Sequence, residues 1–260
     1  MLVFEIVVPG TWLVHENRDW RWRMQNQLHL LTSQFFEANL ALNLFIGVTR
    51  DPPSFANREA WKRDSTRQAE ITRAIEQERG GWDAADFDAA RFEAEVRFKR
   101  EKWANGGIPR EFEHNLPFLH ARAFLYALDA FDKFLGVLAK EPGAPNELTV
   151  WHQKVQDAFP NLRSVRNTAQ HMEDRARGLG AGKNPKPLDL KPVQNALVHA
   201  RGGALVLNSL NGSRYGSTMA DGHYGEIDVS PESMERLNLI LEGVLATFKW
   251  HGPRVHLPSA

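Results

Sequence analysis

Residues 117–139 read PFLHARAFLYALDAFDKFLGVLA and carry the strongest apolar helix pattern in the chain. Their large apolar side chains recur at intervals of three and four residues, which places them on one face of an α-helix. These side chains are Phe118, Phe124, Leu125, Leu128, Phe131, Leu135 and Leu138. We expect this helix at the centre of the hydrophobic core, and we expect Glu141-Pro142-Gly143 to end it.

The same period predicts further helices on both sides of this segment. They cover residues 18–48, 58–78, 83–104, 147–158, 161–177 and 231–250. Asp51-Pro52-Pro53 ends the first of them, because proline donates no backbone hydrogen bond and restricts the residue before it. Ser230 and Pro231 suit the N-cap and the first turn of the last helix.

Between the last two helices the pattern changes from helix to strand. Four short strands are predicted, at residues 196–201, 204–210, 213–219 and 223–229. Three residue pairs separate them, and these pairs tolerate the positive φ of tight hairpin turns. The pairs are Gly202-Gly203, Asn211-Gly212 and Asp221-Gly222. We therefore expect a small antiparallel β-meander over residues 193–230.

Together these elements predict a mainly α protein, an antiparallel helical bundle with the β-meander inserted before its C-terminal helix. We expect a single domain over residues 1–260, because no long Gly/Ser/Pro linker divides the chain. Its expected parts are an N-terminal arm and helix (1–57), a charged helical extension (58–107), core helices (117–178), the meander and the last helix. Met1 to Val8 lack a basic segment, so we expect a strand or an apolar arm rather than a secretory signal.

Composition narrows the class of protein. The chain has 260 residues, 42% of them hydrophobic and 25% charged, which is typical of a soluble globular protein. No apolar run approaches the roughly 18 residues of a membrane span, so we expect no membrane association. Absence of cysteine excludes disulfides, thiolate metal sites and cysteine nucleophiles, and it suits a cytoplasmic protein.

Charge is neutral overall but uneven along the chain. The formal net charge is zero, so the whole protein has no electrostatic attraction for nucleic acid. Residues 161–201, however, contain eight Lys or Arg against three Asp or Glu. This local excess of positive charge suits contact with a phosphate backbone. A solvated basic loop would have the same composition.

The hexapeptide Arg166-Asn167-Thr168-Ala169-Gln170-His171 lies in this basic region. Arginine binds phosphate through a planar fork of donors, and histidine exchanges protons near neutral pH. The loose pattern of an arginine, four to six residues and then a histidine carries little information, because Arg23 and His29 match it as well. Two interpretations stay open: a site that handles phosphate, or ordinary residues on a solvated helix face.

The context of the hexapeptide resembles the HEPN superfamily. The residues that carry the resemblance are Arg166, the polar Asn167 and His171, on a helix that follows a long apolar helix and precedes a hairpin region and a capped helix. The resemblance implies a homodimer that cleaves RNA without a metal, with these three residues catalytic. It also implies backbone contacts from Asp174, Arg175, Arg177 and Lys183. Non-catalytic members bind RNA, nucleotides or protein partners such as a nucleotidyltransferase or an effector.

Helix geometry adds a condition to this hypothesis. On one continuous helix, Arg166 and His171 would point about 140° apart, whereas Asn167 and His171 share a face. One helix therefore makes an incomplete site. Two copies that face each other across a two-fold axis complete it.

Other kinds of site are disfavoured by spacing. We expect no metal and no cofactor: Glu111 and His114 form the only Glu-x-x-His pair that a di-iron bundle would use, and His120 lies six residues further on. The Gly-rich run that ends at Lys183 lacks the spacing of a phosphate loop.

Residues 18–23 read RDWRWR, a mixture of basic and aromatic residues that stacks on bases in some proteins. We expect Trp20 and Trp22 to pack inside, with the arginines extending past them to solvent.

Overall fold

The computed structural model describes residues 1–50, 58–80 and 87–259. Within them the chain is mainly helical, with eight helices and nine short strands. The helices are α1 (Arg18–Arg50), α2 (Arg58–Arg79), α3 (Phe87–Ala104), α4 (Arg110–Leu138), α5 (Glu147–Ala158), α6 (Leu162–Gln170), α7 (Met172–Ala176) and α8 (Pro231–Ala246). The strands are β1 (Ile6–Val8), β2 (Trp12–Leu13), β3 (Val193–Gln194), β4 (His199–Ala200), β5 (Ser209–Asn211), β6 (Arg214–Thr218), β7 (Tyr224–Asp228), β8 (Trp250–His251) and β9 (Val255–Leu257).

Two sequence predictions fall beyond these ranges. The proline stop at Asp51-Pro52-Pro53 and the first residues of the predicted helix 83–104 lie outside the described residues. Among the helices that are described, none has the length and hydropathy needed to cross a bilayer.

The chain divides into two compact units, although a single one was expected. One unit contains Met1–Val48 and Pro117–Ala260, and the other contains Thr49–Leu116. The smaller unit has an apolar cluster of its own, formed by Ile71, Ile75, Ala90 and Ala94 with Phe98 packed against it. This segment buries its own apolar residues and is therefore a separate unit. The absence of a Gly/Ser/Pro linker did not indicate this division.

Ion pairs join α2 to α3 in the smaller unit. Arg67 contacts Glu101 at 2.8 Å and Arg79 contacts Glu93 at 2.5 Å. The residue further along α2 therefore pairs with the residue that comes earlier in α3, which shows that the two helices are antiparallel. The guanidinium of Arg79 holds the pKa of Glu93 below its usual value. The pairs are solvent-exposed and contribute little stability each, so they fix the register of a charged hairpin while the apolar cluster holds it together.

The larger unit is built around α4, as the sequence predicted. Phe124, Leu128, Phe131 and Leu135 are fully buried in a cluster that also takes side chains from α1, α5, α6, α8 and the β5–β6–β7 sheet. The helix starts at Arg110, earlier than expected, and passes through Pro117. Acidic residues in its first turn favour this earlier start, because they interact with the positive end of the helix dipole.

The ends of the larger unit pair with each other. β1 lies antiparallel to β9, with Ile6 opposite Leu257, and β2 lies antiparallel to β8. The strand prediction for the N-terminal residues is therefore confirmed. The last helix is shorter than predicted: it ends at Ala246, since Trp250 turns back and its Nε1 donates to the Leu245 carbonyl at 2.7 Å.

The β-meander is confirmed in part. β5, β6 and β7 form an antiparallel sheet in that order, and β6 and β7 match two of the predicted strands. The predicted strands 196–201 and 204–210 shrink to β4 and β5. The reason lies in β6, whose side chains take backbone donors from the neighbouring segment. Thr218 Oγ1 accepts from the Val206 N–H at 2.9 Å, and Ser217 Oγ accepts from the Asn208 N–H at 3.0 Å.

The first prediction tests the central position of α4. Phe124 is fully buried, whereas Leu119 on the same helix is exposed. Phe124→Ala should lower the free energy of unfolding by about 3–5 kcal/mol, because it leaves a cavity in the core. Leu119→Ala should change it by less than about 0.5 kcal/mol. Urea unfolding followed by tryptophan fluorescence measures both, and equal losses would contradict the placement of α4.

Candidate functional site

The motif helix is interrupted at His171. α6 ends at Gln170, α7 begins at Met172, and His171 between them has φ −123° and ψ 44°. The predicted single helix over residues 161–177 is therefore wrong. Since His171 has left the helical conformation, the divergence of about 140° expected from an ideal helix no longer applies to it.

Tertiary contacts hold the chain on both sides of this break. Before it, the buried Thr168 hydroxyl donates to the Thr218 carbonyl of β6 at 3.2 Å. After it, Arg175 Nη1 donates to the carbonyls of Leu179 and Gly180, each at 2.6 Å. The sequence has no glycine or proline at the break. The break instead follows from tertiary contacts: α6 packs on the sheet, and α7 is held by the loop that follows it.

Arg166 is held against α4. Its Nε lies 3.0 Å from Asp129 Oδ2, and the two side chains are only 11% and 8% exposed. The Nε–H is not aligned for a hydrogen bond, so the contact is an ion pair. Nη1 donates to Gln170 Oε1 at 2.6 Å. Among the described residues Nη2 makes no hydrogen bond, so it is the one amino group of this guanidinium without a hydrogen-bond partner there.

A second cation contacts the same carboxylate oxygen. Lys133 Nζ lies 2.6 Å from Asp129 Oδ2, but its side chain is 59% exposed. Water screens an exposed pair, whereas a buried carboxylate depends on its buried partner. The longer contact to Arg166 is therefore the more important one for stability. Asp129 thus has two cationic partners, one buried and one exposed.

Asn167 and His171 complete the predicted catalytic set. Asn167 is half-buried, and its side-chain amide makes no hydrogen bond within the part of the chain that the structure describes. The His171 imidazole is 60% exposed, and its Nδ1 lies 3.8 Å from Glu173 Oε1. The backbone joins the two residues, since the His171 N–H donates to the Asn167 carbonyl at 3.0 Å. His171 is thus accessible for proton transfer and lies beside a carboxylate.

The four predicted backbone contacts separate into two groups. Arg175 is buried and holds the carbonyls after α7, so its assignment to a phosphate backbone is wrong. Arg177 is exposed and contacts Asp174 at 2.6 Å. Lys183 is exposed in the loop closed by the Leu179–Pro187 bridge. Arg177 and Lys183 are therefore available to a polyanion, and Asp174 positions Arg177.

A histidine that the sequence analysis did not single out lies on the same side of α4. His152 Nε2 on α5 is 3.0 Å from Asp132 Oδ1, and both side chains are largely buried. Burial raises the pKa of the Asp132 carboxyl, and His152 opposes that rise. Gly136 makes room for the ring, because a Cβ there would lie 3.0 Å from its Cε1 and Nε2. The sequence shows Asp132 and Gly136 on the core helix, but nothing in their spacing indicates that His152 of α5 lies opposite them.

One group of side chains near the motif has the composition of a metal site. His171, Glu173 and Asp174 each offer a ligand atom, and these atoms lie within 4.8 Å of one another. His114 and His120, whose spacing was weighed for a metal site, do not belong to this group. The group is exposed or half-exposed, and Asp174 already pairs with Arg177. Any test of the motif must therefore separate the chemistry of the His171 side chain from that of a bound cation.

The second prediction concerns the two cations on Asp129. Arg166→Ala should lower the free energy of unfolding by about 3–5 kcal/mol, because it leaves a buried carboxylate without its buried partner. Lys133→Ala should cost less than about 1 kcal/mol, since that pair is exposed. Urea unfolding at neutral pH compares them. A larger loss of stability in Lys133→Ala would contradict the prediction, because contact distance rather than burial would then determine the contribution of each cation to stability.

The third prediction is a pH dependence that arises at Asp132. Its folded pKa is raised above the usual value of 3.8, so the folded protein binds this proton more tightly than the unfolded chain. The resulting stabilisation is complete below the unfolded pKa and is lost as pH rises through the folded pKa. The stability of the wild type relative to Asp132→Asn should therefore fall as pH rises through that window. Urea unfolding across the acid range measures it, and parallel profiles would contradict it.

The chain was compared with protein-family models, curated proteins and solved structures, and no match was found.

Proposed function

We propose that this protein is a HEPN-like, metal-independent endoribonuclease that acts as a homodimer, with Arg166, Asn167 and His171 at the cleavage site. The observation that carries the proposal is the contrast between two of these residues. Asp129 fixes the guanidinium of Arg166 by an ion pair, and Nη2 has no hydrogen-bond partner among the described residues. His171, in contrast, is exposed at the end of the same helix. A fixed cation and an accessible imidazole are the two groups that RNA cleavage requires without a metal.

The proposed reaction is transfer of the phosphoryl group to the neighbouring ribose oxygen. His171 takes the proton of the 2′-hydroxyl, and the 2′ oxygen attacks the adjacent phosphorus. The bond from phosphorus to the 5′ oxygen breaks, and a proton from water or from the second His171 of the dimer neutralises that oxygen. The products are a 2′,3′-cyclic phosphate and a 5′-hydroxyl, and no oxidant or further reactant is needed.

Arg166 stabilises the negative charge of the transition state in this proposal. Its ion pair with Asp129 fixes the guanidinium, so little reorganisation is needed when the phosphate arrives. Asn167 has a free amide and binds a phosphate oxygen or orients His171. Arg177 and Lys183 hold the RNA backbone through exposed positive charge.

The dimer is part of the proposal because one subunit offers a single exposed imidazole at this motif. Proton abstraction and proton donation in one step need two groups in different protonation states. A two-fold axis through the motif would bring a second His171 to the same cleft. A molar mass twice the 29.5 kDa of one chain, measured by light scattering, is the expected result.

A non-catalytic role is the second candidate function. The observation that favours it is that two of the three donor positions of Arg166 already face Asp129 and Gln170. A guanidinium engaged in this way contributes less to a new ligand. In that case the protein binds RNA, a nucleotide or a protein partner, such as a nucleotidyltransferase or an effector, without cleaving it.

The fourth prediction tests cleavage with a matched pair of histidines. His171 and His223 are exposed to the same degree, 60% and 59%, and each lies beside a carboxylate. His171→Ala should slow cleavage of a mixed-sequence RNA by about a hundredfold or more in EDTA. His223→Ala should cleave like the wild type. The same sequence made as DNA should stay intact, because it lacks the 2′-hydroxyl.

The outcomes separate the two functions and the metal alternative. Cleavage by the wild type in EDTA that His171→Ala loses supports the proposal. Cleavage that appears only with added Mn²⁺ or Zn²⁺ and is lost in Glu173→Ala would replace it with metal-dependent chemistry at the same residues. Binding of RNA without cleavage under any condition would leave the non-catalytic function.

A further inference from the structure

A wide groove lies at the start of α1, where β2 and β8 meet the helix. Its volume is about 870 Å³, and its lining includes Trp12, Trp22, Arg18 and Arg21. Gln25 fixes one wall, because its amide donates to the Thr11 carbonyl at 2.9 Å and accepts from the Leu13 N–H at 3.4 Å. These hydrogen bonds fix the position of Gln25 in the groove.

Both tryptophans that line the groove are exposed. Trp22 is 71% exposed and Trp12 is 59% exposed. The expectation that Trp20 and Trp22 pack inside holds only for Trp20, which is buried and donates from Nε1 to the Pro142 carbonyl at 2.8 Å. A single exposed apolar side chain is common, but two exposed indoles that line one groove offer aromatic surface to a ligand there.

The charge of the groove is positive. Besides the two arginines, three histidines contribute to the lining, and no Asp or Glu does so within the described residues. Over the same ranges, neither Arg18 nor Arg21 forms an ion pair with a carboxylate. Unpaired guanidinium groups beside exposed indoles are suited to a ligand that has both negative charge and flat aromatic surfaces.

We infer that this groove binds single-stranded RNA, with bases stacked on Trp22 and Trp12 and phosphates on Arg18 and Arg21. Bases in a duplex are already stacked on one another, so a stacking platform selects single strands. The inference deepens the proposed function, because RNA is the common ligand. Binding in the groove nevertheless requires none of the motif residues, and the two proposals can fail separately.

The fifth prediction measures binding of a fluorescein-labelled single-stranded RNA of twelve nucleotides by anisotropy. Trp22→Ala should weaken binding about tenfold, because one stacking contact is lost. Trp22→Phe should restore most of that loss, since a phenyl ring still stacks. Trp61→Ala is the matched control: Trp61 is 69% exposed and belongs to the smaller unit.

Salt dependence separates stacking from charge. Arg18→Ala/Arg21→Ala should reduce the slope of log affinity against log salt by about 1.4, which corresponds to two phosphate contacts on a single strand. Trp22→Ala should leave that slope unchanged while it lowers affinity. Arg73→Ala, an exposed arginine of α2, serves as the control for charge.

The results distinguish the groove from the cleavage site. If the wild type cleaves RNA and the groove variants bind like the wild type, the groove inference is wrong and the proposed function stands. If binding depends on Trp22 and Arg18 but nothing is cleaved, the inference stands and the proposed nuclease fails. Competition by poly-glutamate that is equal in the wild type and in Trp22→Ala would overturn the inference in favour of a general anion site.

Discussion

Burial of the apolar face of α4 is the constraint on which the larger unit depends. Phe124, Leu128, Phe131 and Leu135 are fully inaccessible, and the helices and the sheet around them are held by this burial. The same helix carries Asp129 close to the core, where a charge is costly unless it is paired. The packing of α6 on α4 supplies that partner, Arg166, so the core and the candidate site share one interface.

This shared interface divides the tasks of the motif residues. Arg166 serves the fold through Asp129, and only its remaining donors can serve a ligand. His171 makes no comparable buried contact, because α6 ends at the residue before it and its imidazole is exposed. Arg177 and Lys183, which follow the motif in sequence, are exposed, whereas Arg175 is buried and holds the chain after α7. A residue that stabilises the fold and an exposed histidine are thus close neighbours in one short segment.

The sequence anticipated the elements that depend on local pattern. The apolar helix, the N-cap at Ser230 and the hairpin strands β6 and β7 are confirmed, since each depends on side-chain period or turn residues. It missed the pair of Asp132 and His152, because a contact between α4 and α5 has no signal in spacing along the chain. It also placed Trp22 inside, although α1 leaves this residue on the wall of a groove.

By itself the sequence determined a mainly helical protein, its central apolar helix and a charged helical extension. Those features follow from residue types and their period, which act over a few residues. The tertiary structure alone decided that the helix breaks at His171, that residues 49–116 form their own unit, and which charges lie in the interior. Each of these depends on contacts between segments that are distant in the sequence, such as Thr168 with Thr218 and Arg166 with Asp129. Such contacts form only when the core assembles and brings the segments together.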